Sequence, residues 1–234
     1  NGITSIPVST FYGVNTICFV VPGSVTEFGN YSLDDRTGSR IIYLYNTTQE
    51  EALKAVNLGN GSSPRAITKG GIFLEGTSFE SGKLAQPVNN GEIFKGWYDN
   101  ENCTGEPVTN VAARKTYYAE WLSSDYTVPE NINFGSVVYG VDSGSQKIEA
   151  RDAEEHIIAA TIAGNDIFET VVNEDNTITV TPHSNLSVGE YEETLYVTTP
   201  DGATFFVPVT LEVVPAGSEL AIWANGAENL SLSG

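Results

Sequence analysis

Residues Ile93–Trp121 read IFKGWYDNENCTGEPVTNVAARKTYYAEW. Two aromatic-rich segments, IFKGWY and TYYAEW, flank a polar run that holds Gly105 and Pro107. The aromatic segments read as two strands, and the polar run as the loop that joins them. Successive side chains of a strand point to opposite faces. Strict alternation puts Phe94, Gly96 and Tyr98 on one face and Ile93, Lys95 and Trp97 on the other. In the second strand Tyr117, Ala119 and Trp121 share a face, with Tyr118 opposite. Filling a core is the usual fate of such rings. A small sheet covered on one side cannot bury both sets, however, so some should show an edge to solvent or to a neighbouring module. Trp97, Tyr118 and Trp121 are accordingly the candidate binding residues: exposed aromatics able to stack on a sugar or anchor a protein ligand. Gly96 is expected to leave room for a ring packed across the strand.

Around this stretch the chain has 234 residues, 40% hydrophobic and 10% aromatic, with 23 Gly and 10 Pro. That is enough for one large domain or two to three small ones with packed cores, in a composition that favours short strands and turns. The net charge is −19. A surface so acidic repels phosphate backbones and anionic lipid, which argues against nucleic-acid and membrane-surface partners. The acid is concentrated late: residues 126–234 hold two basic and seventeen acidic side chains, whereas residues 1–70 hold five of each. The last segment therefore reads as a separate unit. Two distant cysteines, Cys18 and Cys103, do not make a disulfide framework and read as free thiols. No apolar run is long enough to cross a bilayer as a helix. The chain begins mid-pattern without an initiating Met, as expected of a piece of a longer protein.

The first 60 residues carry a repeat. Ile3, Ile6 and Phe11 precede Val25, Phe28 and Leu33 by 22 positions, and an apolar segment follows each set, ICFVV at 17–21 and IIYLY at 41–45. One short strand per turn at that period is the pattern of a stacked solenoid. The phrase PGSVTEFG (Pro22–Gly29) resembles the core of the BspA-type leucine-rich repeats of bacterial surface proteins, with Phe28 in place of the usual Ile. The insertion DDRTGSR lengthens the second repeat by two residues and suggests the last coil before a cap. TTQEEALKAVN (Thr47–Asn57) is the helix candidate, with Thr47 or Thr48 as N-cap, Glu50 or Glu51 three residues on, and an Ala52/Leu53/Val56 stripe. It is expected to cover the open edge of the last coil.

Residues 67–122 form the second unit, with GIFLEG and TSFESGKL expected as further strands. Phe94, Gly96, Trp97, Tyr98, Cys103, Thr104, Tyr118, Ala119 and Trp121 stand where the Listeria–Bacteroides (internalin-type B) repeat has its F-x-G-W-Y, Cys-Thr and closing Y-A-x-W, and the segment resembles that family. The resemblance implies a small β-grasp-like sheet. Residues 126–215 hold seven short alternating segments, from FGSVVYG to TFFVPVTLEVV, which fit an immunoglobulin-like sandwich. INFGSVVYG and VGEYEETLYVTT resemble bacterial surface Ig-like modules related to the ASPM-SPD-2-Hydin group. Residues 216–234 read as a linker or tail.

No catalytic motif is present. The two histidines, His156 and His183, read as surface or semi-buried residues and not as ligands. The acidic runs DNENCTGE and GND…NEDN read as solvated loops, since the first lacks the glycine that a calcium loop needs at its sixth place. The expected whole is a mainly β, multidomain chain: coils with a capping helix (1–60), a β-grasp-like repeat (67–122), an Ig-like sandwich (126–215) and a tail. The expected function is non-catalytic: adhesion or protein–protein contact by a secreted or bacterial cell-surface protein. Its partner would be an extracellular protein or glycan, with no cofactor or metal. The alternative is a carbohydrate-binding accessory region of a secreted enzyme.

Overall fold

The computed structural model describes residues 2–34, 40–58, 63–154, 156–158, 160–163 and 167–217. The tail expected at 216–234 lies almost wholly outside them, as does most of the DDRTGSR insertion. The chain is mainly β, with one helix and several sheets among the described residues.

In chain order the first half holds β1 (Ser5–Ile6), β2 (Cys18–Val20), β3 (Glu27–Phe28), β4 (Ile41–Leu44), α1 (Thr47–Lys54), β5 (Arg65–Ile67), β6 (Glu92–Tyr98) and β7 (Thr116–Ser123). The 22-residue pattern becomes a parallel pair, with Ile6 of β1 opposite Phe28 of β3. Gly29 donates its N–H to the Ile6 carbonyl at 2.8 Å, and Ser9 donates to Asn30. Ser9 and Tyr31, one repeat apart, both adopt positive φ, 56° and 59°. The turn geometry thus recurs with the sequence. The second ladder pairs Cys18 with Ile41 and then Ile42 with Arg65, all parallel.

That ladder does not stop at the expected boundary between residues 60 and 67. β5 pairs in parallel with β7, and β7 pairs antiparallel with β6, giving one five-stranded sheet in the order β2-β4-β5-β7-β6. The aromatic hairpin is therefore hydrogen-bonded onto the coils. Arg-Ala-Ile after Pro64 is too short and too polar to give β5 a recognisable sequence signal. The helix is also placed differently from expectation. It joins rungs β4 and β5 and packs Leu53 into the core beneath them, while the edge it was expected to cover is taken by β7.

α1 is capped by Asn46, not Thr47 or Thr48. The Asn46 side chain accepts from the Gln49 backbone N–H at 2.9 Å, and the helix ends at Lys54. Asn is among the best caps because its carboxamide reaches back to the exposed amides of the first turn. Gln49 is fully buried. Its side chain accepts from Tyr45 N–H at 2.7 Å and donates to the carbonyls of Pro22 and Val25, both at 2.8 Å.

GIFLEG and TSFESGKL are not strands. Apart from an Ile72–Val88 bridge, residues 71–86 run without regular pairing. Gly76 and Gly82 turn the chain at positive φ. The loop instead lays Phe73, Phe79 and Leu84 over Tyr43, with Phe73 and Phe79 edge-on to its ring.

The second half adds β8 (Ile132–Val138), β9 (Gln146–Ile148), β10 (Ala150–Arg151), β11 (Ile157–Ile158), β12 (Thr161–Ala163), β13 (Phe168–Val172), β14 (Ile178–Pro182), β15 (Gly189–Thr198) and β16 (Thr204–Val214). A four-stranded sheet, β12-β15-β16-β8, faces a three-stranded sheet, β13-β14-β9. Leu195, Val197, Val207 and Val209 from the first meet Ile148, Phe168, Ile178 and Val180 from the second in one core. Each such side chain removed from water contributes about 1.5–3 kcal/mol, so the core holds without a disulfide. β11 pairs with β10, and β12 pairs with β15.

Candidate functional site

The hairpin β6–β7 carries the candidate aromatics, and a bulge decides where they go. Phe94 lies opposite Trp121, but Gly96 lies opposite Glu120 and Trp97 opposite Ala119, so one extra residue interrupts the register. Gly96 takes φ +140°, and a Cβ there would sit 2.9 Å from the Pro107 ring. The ring that Gly96 makes room for is therefore a proline from the joining loop. The bulge shifts the side-chain parity. Phe94 and Trp97, assigned to opposite faces by strict alternation, share the face of Tyr117, Ala119 and Trp121.

That face is a core. Trp97 is 4% exposed, and its Nε1–H donates to the Ala85 carbonyl at 3.0 Å. It is not the exposed platform expected. The phenol of Tyr43 accepts from Ala85 N–H at 2.8 Å, and burial pushes its pKa up to about 12. Trp121 is half-buried. Its Nε1–H donates to the Thr68 carbonyl at 2.8 Å, and its ring stands edge-on to Phe94 with centroids 5.5 Å apart. Gly71 lies against it so closely that a Cβ would be 2.6 Å from the indole. Tyr118 lies on the other face, half-buried against the coil core, with its hydroxyl donating to Glu50 Oε2 at 3.3 Å. Burial and the Glu50 charge raise this phenol to about 12. The three candidates therefore do not converge on one surface, and only Trp121 and Tyr118 show solvent-facing edges.

Glu50, in sequence only a capping candidate, is the polar centre between helix and hairpin. Its carboxylate accepts from Thr116 Oγ1 at 2.7 Å and Lys54 Nζ at 2.6 Å, besides Tyr118. Burial alone would raise its pKa. The hydrogen bonds from Lys54 and Thr116, with the Lys54 charge and Tyr118, outweigh that and hold it below its ordinary 4.5. A depressed carboxyl pKa adds stability that is full above the unfolded value and is lost as pH falls through the folded one. The melting-temperature gap between the parent chain and Glu50→Gln should therefore be constant near neutrality and close on acidification below about 4.5. A gap that is unchanged down to strongly acidic pH would contradict this.

A hollow of about 500 Å³ is lined by Val137, Leu186 and Val213 together with the polar Asp142, Glu169 and His183. His156 lies elsewhere, exposed, with Nδ1 3.2 Å from Asp152 Oδ2 and 3.7 Å from Glu154 Oε2. Among the described residues no group of three or more His, Cys, Asp or Glu is placed to hold a metal ion. The acidic loop at 99–106 closes on itself: Asn100 accepts from Thr104 N–H and donates to the Thr104 carbonyl. Cys18 and Cys103 are free.

The hairpin and the sandwich also meet. Asn90 pairs in parallel with Thr204, Gly91 N–H donates to the Thr204 carbonyl at 2.9 Å, and Phe206 N–H donates to Asn90 Oδ1 at 2.8 Å. Ser124 Oγ donates to Asp201 Oδ2 at 2.7 Å beside them. In sequence Asn-Asn-Gly reads only as a turn, because its partners lie more than a hundred residues away.

No family model matches the chain, and no curated protein matches it. Among solved structures, an endo-fucoidan hydrolase of glycoside hydrolase family 107, MfFcnA4, aligns with 49% of this chain at 15% identity and a TM-score of 0.32. A single-site variant of that enzyme aligns with 46% at 12% identity and a TM-score of 0.30. The aligned part spans only 18% of either enzyme's length. Likeness at this level carries neither fold nor activity to this chain.

Proposed function

We propose that the chain is a non-catalytic part of a secreted or bacterial cell-surface protein that mediates adhesion or protein–protein contact. In this reading residues 2–58 are coils of a leucine-rich solenoid. The hairpin unit and an Ig-like sandwich act as spacers that carry the coils away from their anchorage. One observation carries it: side chains at matching positions of successive coils differ in exposure. Ile3 is 67% exposed, while Val25, one repeat on, is 1%; Val20 is 40% exposed, while Tyr43, its partner on the next rung, is 1%. The outer face of the first coil is thus an apolar surface of the kind that neighbouring coils bury, as stacked repeats require. The continuous sheet and the main-chain bonds at 90–91 and 204–206 favour a spacer of limited bending.

The test is capture from a panel of purified extracellular proteins, run beside a glycan array. The expected result is protein binding weakened at least tenfold by Tyr12→Ala or Tyr31→Ala, exposed tyrosines of the coils, with silence on glycans. Glycan binding abolished by Trp121→Ala would favour a carbohydrate-binding accessory instead. Protein binding that neither tyrosine affects would count against the coils as the contact surface.

A further inference from the structure

We propose that Asn90–Gly91 is a latent self-modification site, a point of spontaneous deamidation and isomerisation held shut by the contact between hairpin and sandwich. The chemistry needs only this dipeptide and water. The Gly91 amide nitrogen loses its proton and attacks Asn90 Cγ. The new C–N bond closes a five-membered imide, the Cγ–Nδ2 bond breaks, and ammonia leaves. Water then opens the ring at either carbonyl, giving aspartate or isoaspartate. Glycine at the second position has no Cβ to obstruct ring closure. Asn90 is exposed, so water reaches it, and burial does not protect it.

Geometry protects it instead. The attacking nitrogen has its proton engaged, since Gly91 N–H donates to the Thr204 carbonyl at 2.9 Å. The group under attack is pinned as well, since Asn90 Oδ1 accepts from Phe206 N–H at 2.8 Å. The Gly91 carbonyl accepts from Ser124 N–H at 3.0 Å, and the Phe205 ring lies 3.1 Å from where a Gly91 Cβ would be. Nucleophile and electrophile are thus each bound to the other unit, not to each other. Parting the two units frees both at once. Isoaspartate adds a backbone methylene and a negative charge, so the Asn90–Thr204 pairing cannot re-form in register. Separation of the units, once it has lasted long enough for ring closure, is then recorded covalently.

The sequence supplies internal references in three other Asn-Gly pairs, at 1–2, 60–61 and 225–226. The test is to incubate the whole chain at mildly alkaline pH, in native buffer and in urea that unfolds it. Deamidation and isoaspartate at each pair are then followed by peptide mapping with mass spectrometry. The expected result is an Asn90 rate at least about tenfold lower in native buffer than in urea, a ratio that reports the opening equilibrium of the contact. Ser124→Ala, which removes only the hydroxyl bonded to Asp201 and Tyr126, should speed Asn90 severalfold and leave Asn225 unchanged. Equal rates at Asn90 in buffer and urea would overturn the proposal, as would an Asn90 rate that Ser124→Ala leaves untouched.

Discussion

Gly29→Ala should lower the melting temperature of this chain by roughly 6–12 °C, the equivalent of about 3 kcal/mol for a protein of this size. A Cβ at Gly29 would lie 2.3 Å from the Val8 nitrogen and 2.7 Å from the Pro7 carbonyl carbon. Both are backbone atoms of the preceding coil, so no rotamer change relieves the overlap. The Gly29 N–H bond to the Ile6 carbonyl ties the same two coils together at that level. A methyl group there must therefore part the coils and lengthen that bond. Gly13 makes a control. It has positive φ, but a Cβ there meets nothing within 4 Å, so Gly13→Ala should cost only backbone strain. Circular dichroism melts of the two variants check the prediction, and equal losses would show that coil contact is not the cause.

Trp97→Ala should cost about 3–5 kcal/mol, the range for truncating a large buried aromatic. The indole is nearly sealed from solvent and sits edge-on to Phe94 with centroids 5.7 Å apart. Its removal leaves a cavity beneath Tyr43 and strips the Ala85 carbonyl of its donor. Trp97→Phe keeps much of the volume and loses mainly the hydrogen bond, so it should cost nearer 1 kcal/mol. The same truncation on a surface platform would leave stability within about 0.5 kcal/mol. Urea unfolding of the two variants separates these outcomes directly.

The legible parts of the chain were those governed by local rules. The 22-residue recurrence marked segments that pair in parallel, the alternating segments after residue 126 marked the strands of two facing sheets, and the paired aromatic segments marked a hairpin. Strict alternation fails for that hairpin because the register shifts by one residue next to Gly96. A glycine inside an aromatic strand is itself a bulge signal, and a bulge there puts Phe94 and Trp97 on one face. β5 could not be read, because three residues become a strand only when β4 and β7 lie on either side. Asn46 and the two threonines after it are all cap-forming residue types, and only the geometry of one side chain selects Asn46. The role of Glu50 depends on Thr116 and Tyr118, some seventy residues distant, and that of Asn90 on Thr204 and Phe206. Such pairings leave no trace in a single sequence.

β2, β4 and β5 form one sheet with the aromatic hairpin, and its two faces close two cores, Trp97 buried in one of them. Native-state hydrogen exchange tests it most directly. Amides of β4, β5 and β7 should share one protection level and lose it together in rising denaturant, with the Trp97 indole N–H among the slow group. If Arg65–Ile67 exchanged freely while Thr116–Ser123 stayed protected, or if the Trp97 indole exchanged at the rate of an exposed ring, the shared sheet and its closed core would be contradicted.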